Sequence, residues 1–167
     1  MVIGGIAASL IGRPRATRDI DVVVWIDSGE WDSFLKSGEN HGFYPRLKNA
    51  LDFAKENRVL LLCHRPSGID VDISFGALPF EKEAIRRSVK KRIKGFDLAL
   101  PTPEDLVIMK AVAHRQKDLV DIDSILDVNS NLDRSRVRRW VKEFAKALEM
   151  PELVEDLEKI IRAHKKR

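Results

Sequence analysis

VIGGIAASLIGRPRATRDIDVVVWI, residues 2–26, is the stretch around which the rest of the chain is arranged. It reads as a short apolar strand (Val2–Ile3), a Gly4-Gly5 turn, a helix of small residues, a basic loop, and a second strand. Asp19 and Asp21 stand where that second strand begins, and Val22–Ile26 continue it. Side chains two apart on a strand point to one face, so both carboxylates address one point at the strand's entry. Two ionised carboxylates side by side repel each other and resist desolvation, which calls for a cation between them. Oxygen-only ligands of this kind suit Mg2+ or Mn2+. The Gly4-Gly5 turn opens into a helix, where unencumbered backbone N–H groups can receive a phosphate.

A second pair of carboxylates lies further on. Arg58–His64 encloses the run VLLLC, the pattern of a strand buried on both faces. Arg65-Pro66-Ser67-Gly68 is a turn by composition, and Ile69–Phe75 returns as the hairpin partner. Alternation turns Ile69, Val71 and Ile73 toward the core and Asp70, Asp72 and Ser74 the other way. Parity does not choose between Asp70 and Asp72, although Asp72 is mid-strand and Asp70 adjoins the turn. The carboxylates are expected to converge with no basic side chain wedged among them. Between the acidic strands, Trp31, Phe34 and Leu35 form a helical stripe after an N-cap at Asp27 or Ser28. Phe43-Tyr44-Pro45 reads as a turn, and Asn49 as the cap of a short helix.

The order Gly4-Gly5, Gly12, Arg15, Thr17, Asp19-Ile20-Asp21, and then GIDVDIS with Asp70 and Asp72, resembles the DNA polymerase beta-like nucleotidyltransferase superfamily. The nearer resemblance is to its small prokaryotic branch, which includes the AbiEii-type toxins of toxin–antitoxin pairs. The resemblance implies an α/β (α+β) fold: a mixed sheet with flanking helices over residues 1–100, then a helical region, 101–167, packed on that core. It implies Asp19, Asp21 and Asp72 as catalytic and metal-holding residues, with Asp72 in the family's apolar-Asp-apolar triplet. It also implies that Gly4, Gly5, Arg15 and Thr17 meet the nucleotide. The family's motif often has Ser where this chain has Gly5, so that side-chain contact is missing. Superfamily members usually carry a helix ahead of the first strand, so either this chain dispenses with it or the native start lies upstream of Met1.

From Thr102 the pattern is helical. Thr102 is the expected N-cap, Pro103 fits the first position, and Glu104 and Asp105 suit the positive helix end. EDLVIMKAVAHRQKDLVDIDSIL, residues 104–126, resembles the family's acidic-Leu helix followed by Lys and Arg-x-x-Asp. By that resemblance Lys110 reaches the nucleotide's phosphates; otherwise it is a solvated helix residue. Arg115 and Asp118 pair with each other or join the active site. Asp133 is expected to cap a helix striped by Val137, Trp140, Val141, Phe144 and Leu148. Pro151 opens a last helix, and Lys165-Lys166-Arg167 is expected to fray.

Bulk properties set bounds. The chain has 167 residues, 44% apolar and 34% charged, as expected of a globular domain with a real core. No apolar run reaches membrane-spanning length, and the single Cys63 excludes an internal disulfide, so a cytoplasmic location is the expectation. Residues 1–80 hold 9 Lys/Arg against 10 Asp/Glu, whereas residues 81–167 hold 21 against 16. Residues 82–94 concentrate the basic charge, as a track for nucleic acid or as a solvated helix and edge strand. His41, His64, His114 and His164 lack metal-ligand spacing, which argues against zinc. The expected function is two-metal, Mg2+- or Mn2+-dependent transfer of a nucleoside monophosphate from a nucleoside triphosphate to a hydroxyl of RNA, protein or a small molecule. A toxin role, with an antitoxin protein as partner, is the biological variant. The alternative from another class is a non-catalytic nucleotide- or partner-binding scaffold.

Overall fold

The structure is a computed structural model that describes residues 1–165. The expected frayed tail at Lys166 and Arg167 lies outside the described residues. The fold is α/β, with a mixed sheet and eight helices among the described residues. None of those helices is long and apolar enough to cross a membrane. The chain divides into two compact units, Met1–Ile6 with Ala16–Leu100, and Ala7–Arg15 with Pro101–Arg167.

In the first unit, β1 (Val2–Ile3), β2 (Asp19–Val24), β3 (Phe43–Pro45), β4 (Val59–His64) and β5 (Ile69–Phe75) form one sheet in the order β1-β2-β5-β4-β3. Only β2 and β5 run parallel; every other neighbour is antiparallel. The parallel register sets Asp19 opposite Asp70 and Asp21 opposite Asp72. Because side chains alternate, Ile20, Val22 and Val24 share the other face with Val71, Ile73 and Phe75. On that apolar face Leu60, Leu62, Val71, Ile73 and Phe75 form a core with Trp31 and Leu35 of α2 (Trp31–Glu39) and Ala50 and Ala54 of α3 (Ala50–Asn57). Trp31 stacks on Phe75 with ring centroids 4.1 Å apart. The expected stripe is therefore the packing face of α2.

Several local expectations are corrected. Phe43–Pro45 is an edge strand paired with Leu62–His64, not a turn; its proline is tolerated because an edge strand leaves one row of donors unpaired. β4 is buried on one face only, through Leu60 and Leu62. Ile69, at the hairpin mouth, is 40% exposed. Asn49 makes no side-chain capping bond. The unit closes with α4 (Pro79–Arg87) and a separate antiparallel ribbon of β6 (Val89–Ile93) and β7 (Phe96–Leu100), the latter unread in the sequence. The basic residues of β6, Lys90, Lys91 and Arg92, are exposed.

α1 (Gly4–Ile11) begins in the first unit and continues into the second. There it accompanies α5 (Pro103–Ala113), α6 (Gln116–Val128), α7 (Arg134–Leu148) and α8 (Glu152–Lys165). Thr102 caps α5 by accepting the Asp105 N–H, and Asp133 caps α7 by accepting from Ser135 and Arg136. The run 104–126 is two helices, broken where His114 turns left-handed at φ 51°. Leu106, Ile108, Ile122, Ile125, Val137, Val141, Leu153, Leu157 and Ile161 form the helical core, while Leu148, expected on the stripe, is 49% exposed.

Candidate functional site

β2 and β5 place four carboxylates on one face of the sheet. With strands about 5 Å apart and like-facing residues about 7 Å apart along each, Asp19, Asp21, Asp70 and Asp72 occupy the corners of a small patch. β4 borders it with Leu61 opposite Asp72 and Cys63 opposite Asp70. The register thus brings together Asp19, Asp21, Asp70 and Asp72, the strand carboxylates singled out from the sequence, whereas Asp118, the other acidic candidate, pairs with Lys110 and Arg115.

The neighbours orient individual carboxylates. Thr17 donates its hydroxyl to Asp19 Oδ1 at 2.9 Å. Ile3 lies opposite Asp21, so the chain turns into α1 directly beside that residue. Gly4, at φ 61°, makes the turn; a Cβ there would collide with the Asp21 carboxylate. Asp21 therefore lies against backbone at the start of α1, and the small residue is required by both conformation and space. Gly5 follows, buried, in the first turn.

Arg46 was missed in the sequence. It follows β3, and its N–H donates to the Leu61 carbonyl at 2.9 Å, extending the ladder by one residue. It has the parity of Tyr44, which lies opposite Cys63, so its side chain is on the carboxylate face. Its guanidinium reaches Asp70 Oδ2 at 3.0 Å and also pairs with Asp72. The expectation of an acidic cluster free of basic side chains is overturned. The available signal was the alternation Tyr44-x-Arg46, hidden because 43–45 read as a turn. Burial pushes the Asp72 carboxyl above the usual carboxylate range; Arg46 draws it down, while Asp21, Asp19 and Asp70 add to the rise.

The donor chemistry, four carboxylates on one face, suits a hard divalent cation. Side-chain placement, with Arg46 engaged, does not close three of them around one point: among the described residues no group of three His, Cys, Asp or Glu stands in position to hold a metal ion. Asp19, Asp21 and Asp72 are the residues that would hold one.

Arg15, expected to meet the nucleotide from the basic loop, and the residues expected to help from the helical half have partners within the second unit. Arg15 forks onto Asp121, Nε to Oδ1 at 2.6 Å and Nη2 to Oδ2 at 2.9 Å. Lys110 is 3% exposed, and its ammonium pairs at 2.8 Å with both Asp118 and Asp121. It is not a solvated helix residue. Arg115 pairs with Asp118 at 2.6 Å, and Asp118 also accepts the Arg115 N–H at the start of α6. Burial raises Asp118 and Asp121, but hydrogen bonds from Arg115 or Arg15 and from Lys110, with their charges, outweigh it and hold both carboxyls below the usual range. The i,i+3 pair is one edge of a five-residue network whose centre, Lys110, Asp118 and Asp121, is buried. His64 meets Ser67, His114 meets Asp156, and His164 meets Asp123 and Asp127.

Comparison with known proteins agrees with this architecture. The family described as "Nucleotidyltransferase of unknown function (DUF6036)" matches residues 1–163. Among solved structures, the chain is similar in fold to an antigenic nucleotidyltransferase-like protein from Paracoccidioides brasiliensis, with a TM-score of 0.55 and 17% sequence identity. That match covers 94% of this chain and 83% of the other. No curated protein matches it.

Proposed function

The chain belongs to that nucleotidyltransferase family, and from this premise we propose that it transfers a nucleoside monophosphate from a nucleoside triphosphate to a hydroxyl acceptor with a divalent cation. The observation that carries the reading is the register of β2 against β5, which puts Asp19 and Asp21 beside Asp70 and Asp72 on one face. Four carboxylates gathered on one face repel one another, and a divalent cation would offset that repulsion.

In this reading Asp19 and Asp21 hold Mg2+ or Mn2+, and Asp72 completes the set from the neighbouring strand. Once bound, the cation would offset charge on the phosphates and on the attacking oxygen. Thr17 fixes the rotamer of Asp19. The start of α1 at Gly4-Gly5 offers backbone N–H groups and a positive helix end to the triphosphate. The acceptor oxygen bonds to the α-phosphorus, the bond from that phosphorus to the bridging oxygen of the β-phosphate breaks, and pyrophosphate leaves. The protein contributes position and charge rather than covalent chemistry. RNA, protein and small-molecule hydroxyls are all admissible acceptors, and a toxin role with an antitoxin partner is the biological extension of the same chemistry.

Arg46 on Asp70 and Asp72 specifically favours a second reading, a nucleotide- or partner-binding scaffold with a neutralised site. One experiment separates the two. The protein is incubated with each α-labelled triphosphate, Mg2+ or Mn2+, and total RNA or protein. Label transfer that disappears in Asp19→Asn and Asp21→Asn supports the enzyme; triphosphate binding without transfer from any nucleotide supports the scaffold.

A further inference from the structure

We propose that Arg46 is the resident counter-ion of the carboxylate face, and that a divalent cation must displace it from Asp72 in order to bind. The inference rests on the metal-dependent reading above. The guanidinium spans two carboxylates of β5 from a fixed backbone position, since the Arg46 N–H is tied to Leu61. Asp72 is shared between the two demands: it pairs with Arg46 and lies level with Asp21 across the parallel ladder. Of the three carboxylates proposed to hold a cation, Asp72 is the one that Arg46 already engages, through Oδ1. While Arg46 holds Asp70 and Asp72, no three carboxylates among the described residues stand in position to enclose a cation.

The pairing has a physical rationale in the free protein. Four carboxylates within a few ångströms would repel strongly, and a planar fork that meets two of them lowers that repulsion without a bound ion. Arg46 is about one-third exposed, so its side chain can swing to solvent without disturbing the core. The consequence is weak cation binding by the empty protein, with Arg46 setting the threshold.

The test is Mn2+ titration of the full chain, read by electron paramagnetic resonance, with and without a non-hydrolysable triphosphate. Arg46→Gln is expected to bind Mn2+ about tenfold or more tightly than the unmodified protein in the absence of nucleotide, the scale of one lost charged hydrogen-bond competitor. Arg46→Lys, which meets one aspartate at a time, is expected to fall between them. Arg65→Gln is the charge control: Arg65 stacks on Tyr44 at 3.7 Å, and its loss should change affinity by no more than about twofold. Thermal melts establish that each variant is folded, and if Arg46→Gln is not, Arg46→Lys carries the test in the same direction. Unchanged or weaker binding in the Arg46 variants, with Mn2+ still bound alongside triphosphate, overturns the counter-ion role and leaves the metal site standing. Equal tightening in Arg65→Gln overturns it too, as a general charge effect. No Mn2+ binding by any variant, with or without triphosphate, overturns both readings.

Discussion

At the scale of single residues, Gly4 and Asp72 are where structure and function press against each other. Gly4 combines a left-handed φ with a position that has no room for a Cβ beside Asp21. Gly4→Ala should cost about 1–3 kcal/mol of stability through strain alone, and should also push the Asp21 carboxylate aside. The expected outcome is a lower thermal midpoint together with loss of transfer; a variant with wild-type stability and activity would show that the turn tolerates a side chain. Asp72 has the opposite signature. Its carboxyl is raised in the folded protein, so the folded state holds that proton more tightly than the unfolded chain does. Stability contributed by Asp72 is therefore present below the usual carboxylate value and lost as pH rises toward the raised folded value. Asp72→Asn should accordingly melt at a higher temperature than the unmodified protein at pH 7 while losing transfer. Asp70→Asn should retain much of the activity, since Asp70 pairs across the ladder with Asp19 and lies at the hairpin end of β5.

At the scale of elements, the junction of α5 and α6 is an electrostatic clasp. Lys110 on α5 and Asp118 and Asp121 on α6 are all nearly inaccessible, with Arg15 and Arg115 completing the charge balance. Removing the lysine takes away the buried cation shared by both carboxylates and leaves each with only its more exposed arginine, and breaking a buried pair costs about 3–5 kcal/mol. Lys110→Met should destabilise the protein on that scale by urea unfolding, far beyond the change of less than about 0.5 kcal/mol expected of a surface residue. A small effect would mean that the network is solvated in solution. The same network has a pH signature. Asp118 and Asp121 are held below the usual carboxylate range, so the unfolded chain binds their protons more readily. Their stabilisation is complete above that range and is lost as pH falls through the lower folded values. Acid unfolding followed by circular dichroism should begin below pH ~4 in the unmodified protein, and at higher pH in Arg15→Gln, which removes one of the groups holding Asp121 down.

At the scale of the whole molecule, the chain crosses between its two units within α1, so the first turn of that helix belongs to one and the remainder to the other. A helix shared in this way cannot be half-formed without loss to both, because helix formation is cooperative. Unfolding is expected as one transition. Trp25 and Trp31 report on the first unit and Trp140 on the second; urea midpoints from Trp140→Phe and from Trp25→Phe/Trp31→Phe proteins should coincide once corrected for each variant's own stability. Separate midpoints would establish two independently folding units.

The sequence by itself determined the elements that carry periodicity. Gly4-Gly5 before a small-residue helix, the alternation Ile69-Asp70-Val71-Asp72-Ile73, and the caps at Thr102 and Asp133 each follow from local backbone and side-chain geometry. Such signals act over a few residues and so are written in consecutive letters. The pairing of β2 with β5, 51 positions apart in register, was accessible only through resemblance to a family, since alternation says which face a side chain takes and not which strand lies beside it. Tertiary structure alone decided the partners of the charged residues. Arg46 found Asp70 and Asp72 across the sheet, and Arg15 found Asp121 rather than the acidic pair that follows it in the chain. A long cationic side chain is compatible with solvent, a phosphate or any carboxylate within its reach, and which one it meets depends on neighbours that are distant in the chain and close only after folding.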